Sequence, residues 1–367
     1  MTGGLRTRTG RLPALGLIAV AAVVWPFLTS KTIHFYGALS AIYALVALSL
    51  VILAGWTGQV SLGHAAFLGF GVYLGQKVLS NGVPVLLAVV LVAAFGVVIS
   101  LALGVPSLRL RGVYLTIVTL AFGAACQHYF FQLRVVRGYH AATVPRPPVF
   151  GFSMQENRAL YFLVLAVFAI GLWMAYNLRR SDAGRALFAI RDSEDAAQAL
   201  GIRIAPYKIG AFALSAALAT VAGLFYGMLY GATPGPEQFG IVQSFFLLAL
   251  PVVGGLESLA GAVIGGTFLA TGQPLVNLFH IRLFLASSVA LILVAGSRFD
   301  GVTGMARELT TTVRLALSSK ELVRYGSFVP EGPVVANGRA HGLARITGRV
   351  PPGSVIRLRI RGAGGSE

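Results

Sequence analysis

Residues 55–71 read GWTGQVSLGHAAFLGFG, with a Thr, a Gln, a Ser and a His among five glycines, between two long apolar runs. Hydroxyl, amide and imidazole groups of this kind bind solutes through hydrogen bonds. Polar, glycine-rich backbone at membrane depth is tolerated only where it meets protein or water. A helix broken there exposes backbone amides, and the positive end of its dipole suits a solute carboxylate. Thr57 or Ser61 is placed to cap such a half-helix. Gly58, Gly63, Gly69 and Gly71 permit close approach of backbone or solute. Tight packing through small residues is the competing account, as in the pairs Gly71 and Gly75, Gly223 and Gly227, Gly261 and Gly265. Packing alone does not explain Gln59, Ser61 and His64 together. Gly58, Gln59, Ser61, Gly63 and His64 are therefore candidates to line a solute path.

A second stretch resembles the first. GLESLAGAVIGG (255–266) aligns without gaps with GQVSLGHAAFLG (58–69), matching Gly255, Ser258, Leu259, Ala262 and Gly266 to Gly58, Ser61, Leu62, Ala65 and Gly69. A parallel internal repeat would add Gly255 and Ser258 to the pathway candidates. A chain this rich in Gly and Ala also gives such matches by composition alone.

Reactive constellations are missing. There is no HExxH, no CxxC and no carboxylate pair within an apolar run, so an enzyme or a metal site is not expected. The one cysteine, Cys126, excludes a disulfide framework. Ion-coupled carriers usually place ionisable groups inside their spans. The twelve acidic residues avoid the middle of every clear span; Glu257 comes nearest, and the histidines closest to spans, His64 and His128, suit hydrogen-bonded structural roles better than relays. No GxxxxGK[ST] phosphate loop appears either. The chain binds no cofactor by this reading, and if it pumps, another chain uses the ATP.

These residues sit in a chain that is 56% hydrophobic and 11% charged, where soluble proteins carry about 25% charged residues. The expected fold is an all-α polytopic membrane protein. Apolar runs cover roughly 12–28, 35–54, 59–80, 83–104, 113–132, 159–177, 206–231, 241–256, 258–276 and 281–297. Each clear one is near the ~20 residues of a spanning helix. The count is about ten, with eight or nine also fitting, because 241–256 is short and suits a re-entrant half-helix. The first run could instead be a cleaved signal peptide.

The net charge of +17 reads as topology rather than nucleic-acid binding, because the arginines flank apolar runs. Ten spans starting inside leave both termini cytoplasmic and place 178–205 inside with Arg179, Arg180, Arg185, Arg191 and Arg203. The outside loop 132–158 holds Arg134, Arg137, Arg146 and Arg158, against the rule. The resulting division is an N-terminal segment with the first span (1–34), a transmembrane domain (35–300) and a basic cytoplasmic tail (301–367). Residues 304–324 suit a short basic helix on the membrane surface. Beyond them a flexible tail is expected, with a short hairpin around 344–360 as the alternative.

The inside loop RRSDAGRALFAIRDSEDAAQALGIRIAPYK (179–208) suggests two short helices. Asp182 is placed to cap the first and Ser193 the second, which would run from Glu194 to about Leu200 and stop at Gly201. Such helices are handles for a partner; a solvated charged loop is the alternative.

At this point the chain resembles a known family. GQVSLGHAAFLGFGVY (58–73), LRLRGVYLTIVTLAFG (108–123), SDAGRALFAIRDSEDAAQALGI (181–202) and VVGGLESLAGAVIGG (252–266) look like the inner-membrane permease subunits of branched-chain amino-acid ABC importers, of the LivM type. DAAQALG (195–201) is similar to the EAA-x-x-x-G coupling element of importer permeases, with Asp195 in place of Glu. The resemblance covers about 35–300, in order. It implies a bacterial inner-membrane complex: a second permease subunit, cytoplasmic ATP-binding subunits and an extracytoplasmic solute-binding protein. It also implies an ATPase-coupling loop that includes Asp182, Gly184, Arg185, Arg191, Glu194, Asp195, Ala196, Ala197 and Gly201. Family solutes are branched-chain amino acids, with amides, urea or small carboxylates in relatives. A stand-alone channel or carrier is the alternative class. The chain departs from the family in VVRGYHAATVPRPPVFG (135–151), where only the PRP end of a TGGxNG-to-IPRP stretch is kept. It departs again at Glu257 and Ala262, where Gly and Pro are common. The tail after 300 lies outside the resemblance.

Overall fold

A helix that is apolar on every face has to be buried. The first described helix, α1 (Lys31–Leu50), is of this kind, and every residue from Ala38 to Trp56 is buried. The computed structural model describes residues 31–107, 113–133, 136, 142–149 and 151–279, all within one unit, Met1–Val313. The first and last expected spans, the basic helix and the tail lie outside the described residues.

α1 continues through a π turn, Val51–Gly55, before the chain breaks. The later helices are α2 (His64–Ser80), α3 (Val85–Ser107), α4 (Val113–His128), α5 (Asn157–Arg180), α6 (Asp182–Asp192), α7 (Glu194–Ala199), α8 (Ile204–Tyr230), α9 (Ile241–Gly254) and α10 (Leu259–Phe279). No strand occurs among the described residues, only the isolated bridges Thr143–Ala232 and Val149–Phe152. Among the described residues four segments are long and apolar enough to cross a membrane: Thr32–Gly55, Val85–Gly104, Asn157–Arg180 and Ile204–Tyr230. The helices follow the apolar runs to within a few residues, with one correction. The run 59–80 is helical only from His64, because residues 58–63 form no helix.

The spans form an inner and an outer set. The α1 span is 89% buried and α8 72%, whereas the α3 and α5 spans are 28% and 33% buried. Val90, Val98, Ile170 and Trp173 on the outer helices are exposed. In a bilayer such faces meet lipid at no cost, because lipid tails are as apolar as they are.

Glycines set the closest contacts. A Cβ on Gly71 (α2) would overlap the Thr220 carbonyl oxygen (α8), and one on Gly223 would overlap that of Leu68. The two glycine pairs noted in the sequence thus pack against each other. Gly261 and Gly265 of α10 meet Gly254 and Leu250 of α9 in the same manner, so α9 and α10 form a tight hairpin. Gly266 lies against the Ala44 backbone of α1.

The connections sort to two ends. At one end the Thr143–Ala232 bridge, the Tyr73 hydroxyl donating to Pro234 O (2.8 Å) and the Phe131–Phe239 ring contact (5.9 Å) join α2 and the 142–149 segment to the ends of α4, α8 and α9. Arg146 belongs to this end. Its guanidinium donates to Met228 O (2.5 Å), Leu229 O (2.6 Å), Gln155 O (3.2 Å) and Asn157 Oδ1 (3.1 Å). It meets the negative C-terminus of α8, and burial pulls its pKa down. This explains one arginine in a loop that the charge rule would leave neutral: it is held for structure. The opposite end carries both backbone breaks and the α6–α7 loop.

Candidate functional site

The first break begins where α1 runs out. Thr57 Oγ1 donates back to Leu53 O (2.5 Å), as does the Gln59 amide (3.2 Å). Gly58 has φ +70°, the left-handed region that favours glycine. Residues 58–63 then cross to α2, braced by α4: Thr119 Oγ1 accepts from the Leu62 amide (3.1 Å) and Thr116 Oγ1 donates to Val60 O (3.1 Å). Neither Thr57 nor Ser61 caps α2, correcting that expectation. Gly63 is its N-cap residue, and Ser244 Oγ of α9 accepts from the Ala65 amide (3.3 Å). Ser61 Oγ accepts from the Gly63 amide (3.3 Å).

The candidate pathway residues divide by exposure. Gly58 is exposed, while Gln59, Ser61, Gly63 and His64 are buried. Gln59 Nε2 donates to Thr57 Oγ1 (3.1 Å) and to Lys208 O (3.4 Å). His64 Nε2 lies 2.9 Å from Ser215 Oγ, whose hydroxyl donates to Ser49 O (2.8 Å). Ser215 has one proton and spends it on a carbonyl, so Nε2 carries the imidazole proton. His64 Nδ1 is then a bare acceptor, fully buried and without a partner. This network joins the start of α2 to the end of α1 and the interior of α8.

The second break, Gly255–Ser258, lies against the first. Gly255 has φ +112°, and a Cβ on Gly55 would overlap the Leu256 carbonyl oxygen. Ser258 Oγ accepts from the Gly261 amide (3.4 Å), and Trp56 Nε1 donates to Glu257 O (3.4 Å). Gly58 and Gly255, matched in the sequence, thus lie in neighbouring breaks. Their following helices start differently, directly after Ser258 but three residues after Ser61.

The α6–α7 loop packs beneath both. Its N-caps are Ser181, whose Oγ accepts from the Gly184 amide (3.2 Å), and Ser193, which accepts from the Ala196 amide (3.2 Å). Ser193 is as expected. Asp182 is not the cap: it is the first helical residue and pairs with Arg185. A serine one position earlier has the extended backbone that a cap requires. Gly184 and Ala197 face the body, and a Cβ on Gly184 would overlap the Leu178 carbonyl oxygen. Asp182, Arg185, Asp195, Ala196 and Gly201 are exposed, and Glu194 pairs with Lys208 at 2.5 Å. A cavity of about 590 Å³ opens beside this pair, lined among others by Gln198, Gly201 and Arg203. Leu200, absent from the sequence candidates, is 80% exposed. The signal for it was its place just before the Gly201 stop, where an apolar residue has no helix face left to bury.

Arg191 behaves differently from its neighbours. Its Nη1 donates to Gly55 O (2.6 Å) and its Nη2 pairs with Glu257 Oε1 (2.5 Å). Arg179 Nη1 donates to Glu257 O (3.2 Å). Sequence reasoning marked Arg191 for the loop and Glu257 as a departure, without seeing that they meet.

Comparison with known proteins decides the class. Residues 33–296 match the family model described as branched-chain amino acid transport system / permease component. The chain belongs to this family. The permease is 28% identical over 320 residues to the high-affinity branched-chain amino acid transport system permease protein LivM of Escherichia coli K12, covering 79% of this chain and 74% of that one. It is 27% identical over 211 residues to the probable LivM of Methanocaldococcus jannaschii, covering 56% and 59%. It is 30% identical over 159 residues to the autoinducer 2 import system permease protein LsrC of Escherichia coli O157:H7, covering 40% and 46%. No solved structure matches it significantly. The permease is a membrane protein and a transport subunit of an importer.

Proposed function

We propose that this permease forms one half of the pathway of an ATP-driven importer for branched-chain amino acids or a related small solute. A second permease subunit forms the other half. Cytoplasmic ATP-binding subunits dock on the exposed side of α6 and α7, and an extracytoplasmic binding protein delivers solute to the opposite end. The chain lies in a bacterial inner membrane, crosses it about ten times and keeps both termini in the cytoplasm. The observation that carries this reading is the loop itself. It presents Asp182, Arg185, Asp195 and Leu200 outward while its other face packs on both helix breaks. Gly58, Gln59, Ser61, Gly63 and His64, with Gly255 and Ser258, border the path when those breaks part. Branched-chain amino acids are favoured as solutes, because the LivM relative is 28% identical over 320 residues, whereas an LsrC matched over a similar length, 296 residues, is 25% identical.

The test is uptake of labelled leucine by the complex co-purified with this chain, reconstituted in liposomes. Uptake that requires internal or external ATP at the nucleotide-binding face, and that is lost in Asp195→Lys and Gly201→Val with assembly retained, supports the reading. Flux through the chain alone without any ATPase would instead make it a channel or carrier.

A further inference from the structure

We propose that Arg191 is a positioning residue that ties the α6–α7 loop to both backbone breaks, so that loop and breaks move as one body during transport. The proposal rests on reading that loop as the ATPase contact.

The need for a cation here comes from the backbone. A carbonyl near the end of a helix loses its usual donor and carries part of the negative end of the dipole. Gly55 O is such a group: the Gln59 amide, one candidate donor, turns back to Leu53 O, and the chain then leaves the helix at Gly58. Arg191 Nη1 fills that place. The same guanidinium reaches Glu257 in the α9–α10 turn. Two acceptors on different elements are thus held by one rigid fork, which a lysine ammonium cannot imitate with the same geometry.

The contact is also steric. Arg191 Cγ would lie 3.2 Å from a Cβ on Gly58, so the arginine stem lies flat on the break in close contact with it. Trp56 Nε1 and Arg179 Nη1 both donate to Glu257 O, bracing the second break from α1 and α5. The side chain of Arg191 is 29% exposed, while that of Arg185, six residues earlier on the same helix, is 71% exposed and pairs only within its own turn. The two arginines divide the work: one faces outward, the other holds the breaks. Without Arg191, Gly55 O and the Glu257 carboxylate lose the cation between them, and the loop can shift without moving either break.

A disulfide tests the one-body claim. A Cβ on Gly58 would lie 4.0 Å from Arg191 Cβ, within the ~3.5–4.5 Å that a disulfide spans. Gly58→Cys with Arg191→Cys, in a Cys126→Ala background, is compared with its parent in the reconstituted complex. Solute moved per ATP hydrolysed is the readout. Reduced, the double variant should hydrolyse ATP while moving on the order of fivefold less solute per ATP. Oxidised, it should recover part of that loss, because the bond restores the tie to the first break while the one to Glu257 stays lost. A lost yield that stays lost with the disulfide formed shows that loop and break must separate, and overturns the proposal. Should the double variant not assemble, Arg191→Gln and Glu257→Gln decide. ATP hydrolysis with a lowered solute yield, partly restored in Arg191→Lys, supports the clasp; parental yield in both Gln variants overturns it. A parent complex with no ATP-driven uptake overturns the importer reading itself and removes the footing of the clasp.

Discussion

His64 shows how far a residue type leads. Its imidazole, with Gln59 and Ser61, marked a polar stretch worth explaining, and the structure gives each of them a protein partner. Gly58 and Val60 in that stretch face out. We expect cysteines at 59, 61 and 64, in a Cys126→Ala background, to resist a small polar thiol reagent in the conformation described. They should react in the nucleotide state that parts the breaks, since alternating access opens a site to one side at a time. A cysteine at Leu91, on the exposed side of α3, is the lipid-facing control. Silence at all three positions in every state would make the stretch packing alone. A second residue-scale prediction needs no transport assay. Gly71→Val and Gly223→Val each press a side chain into a carbonyl of the facing helix. Each should lower stability by about 1–3 kcal/mol or more, read as a drop in thermal midpoint in detergent. The glycine spacing was legible in the sequence, but which glycine meets which carbonyl was not, because spacing carries no information about the partner helix.

At the scale of elements, apolar runs foretold the helices well, because a span must be apolar over its length whatever it packs against. Ends were harder. The π turn at Val51–Gly55 left no compositional mark, and the shift of a cap from Asp182 to Ser181 turns on one residue's backbone angle. Ionic contacts between distant elements were not legible at all: Arg191 and Glu257 are far apart in sequence and meet only once α9 and α10 fold back. Arg146 is another case. It reads as a charge on the wrong side, and it proves to hold the end of α8. Replacing it with Ala leaves two helix-end carbonyls without donors. We expect a loss of about 1–3 kcal/mol and faster protease cleavage in 142–157, with the α6–α7 end unchanged. Equal protection from protease in the variant would show that the arginine is dispensable there.

Across the whole molecule, charge placement limits what can drive transport. Among the described residues the acidic side chains are Glu156, Asp182, Asp192, Glu194, Asp195, Glu237 and Glu257, and each stands at a helix end, in the α6–α7 loop or in a turn. The inner helices α1 and α8 pack through apolar and small residues with hydroxyls as their buried polar groups, and His64 of α2 meets them at Ser215. His64 donates through Nε2 to a serine whose own proton is committed to Ser49 O. Among the described residues an ion gradient thus finds no carboxylate in the middle of a span to charge and discharge, and proton relays are built from such groups. Under the proposed function the energy enters at the end where α6 and α7 present their outer face. In liposomes holding the reconstituted complex, we expect ATP-driven leucine uptake to continue at the same initial rate when a protonophore removes the proton gradient and sodium is replaced by potassium. Vanadate, which stalls the ATPase, should stop it. Uptake that collapses with the protonophore while ATP remains would place an ion-coupling group in this chain or its partner, and the absence of described intramembrane carboxylates would then point to the partner permease.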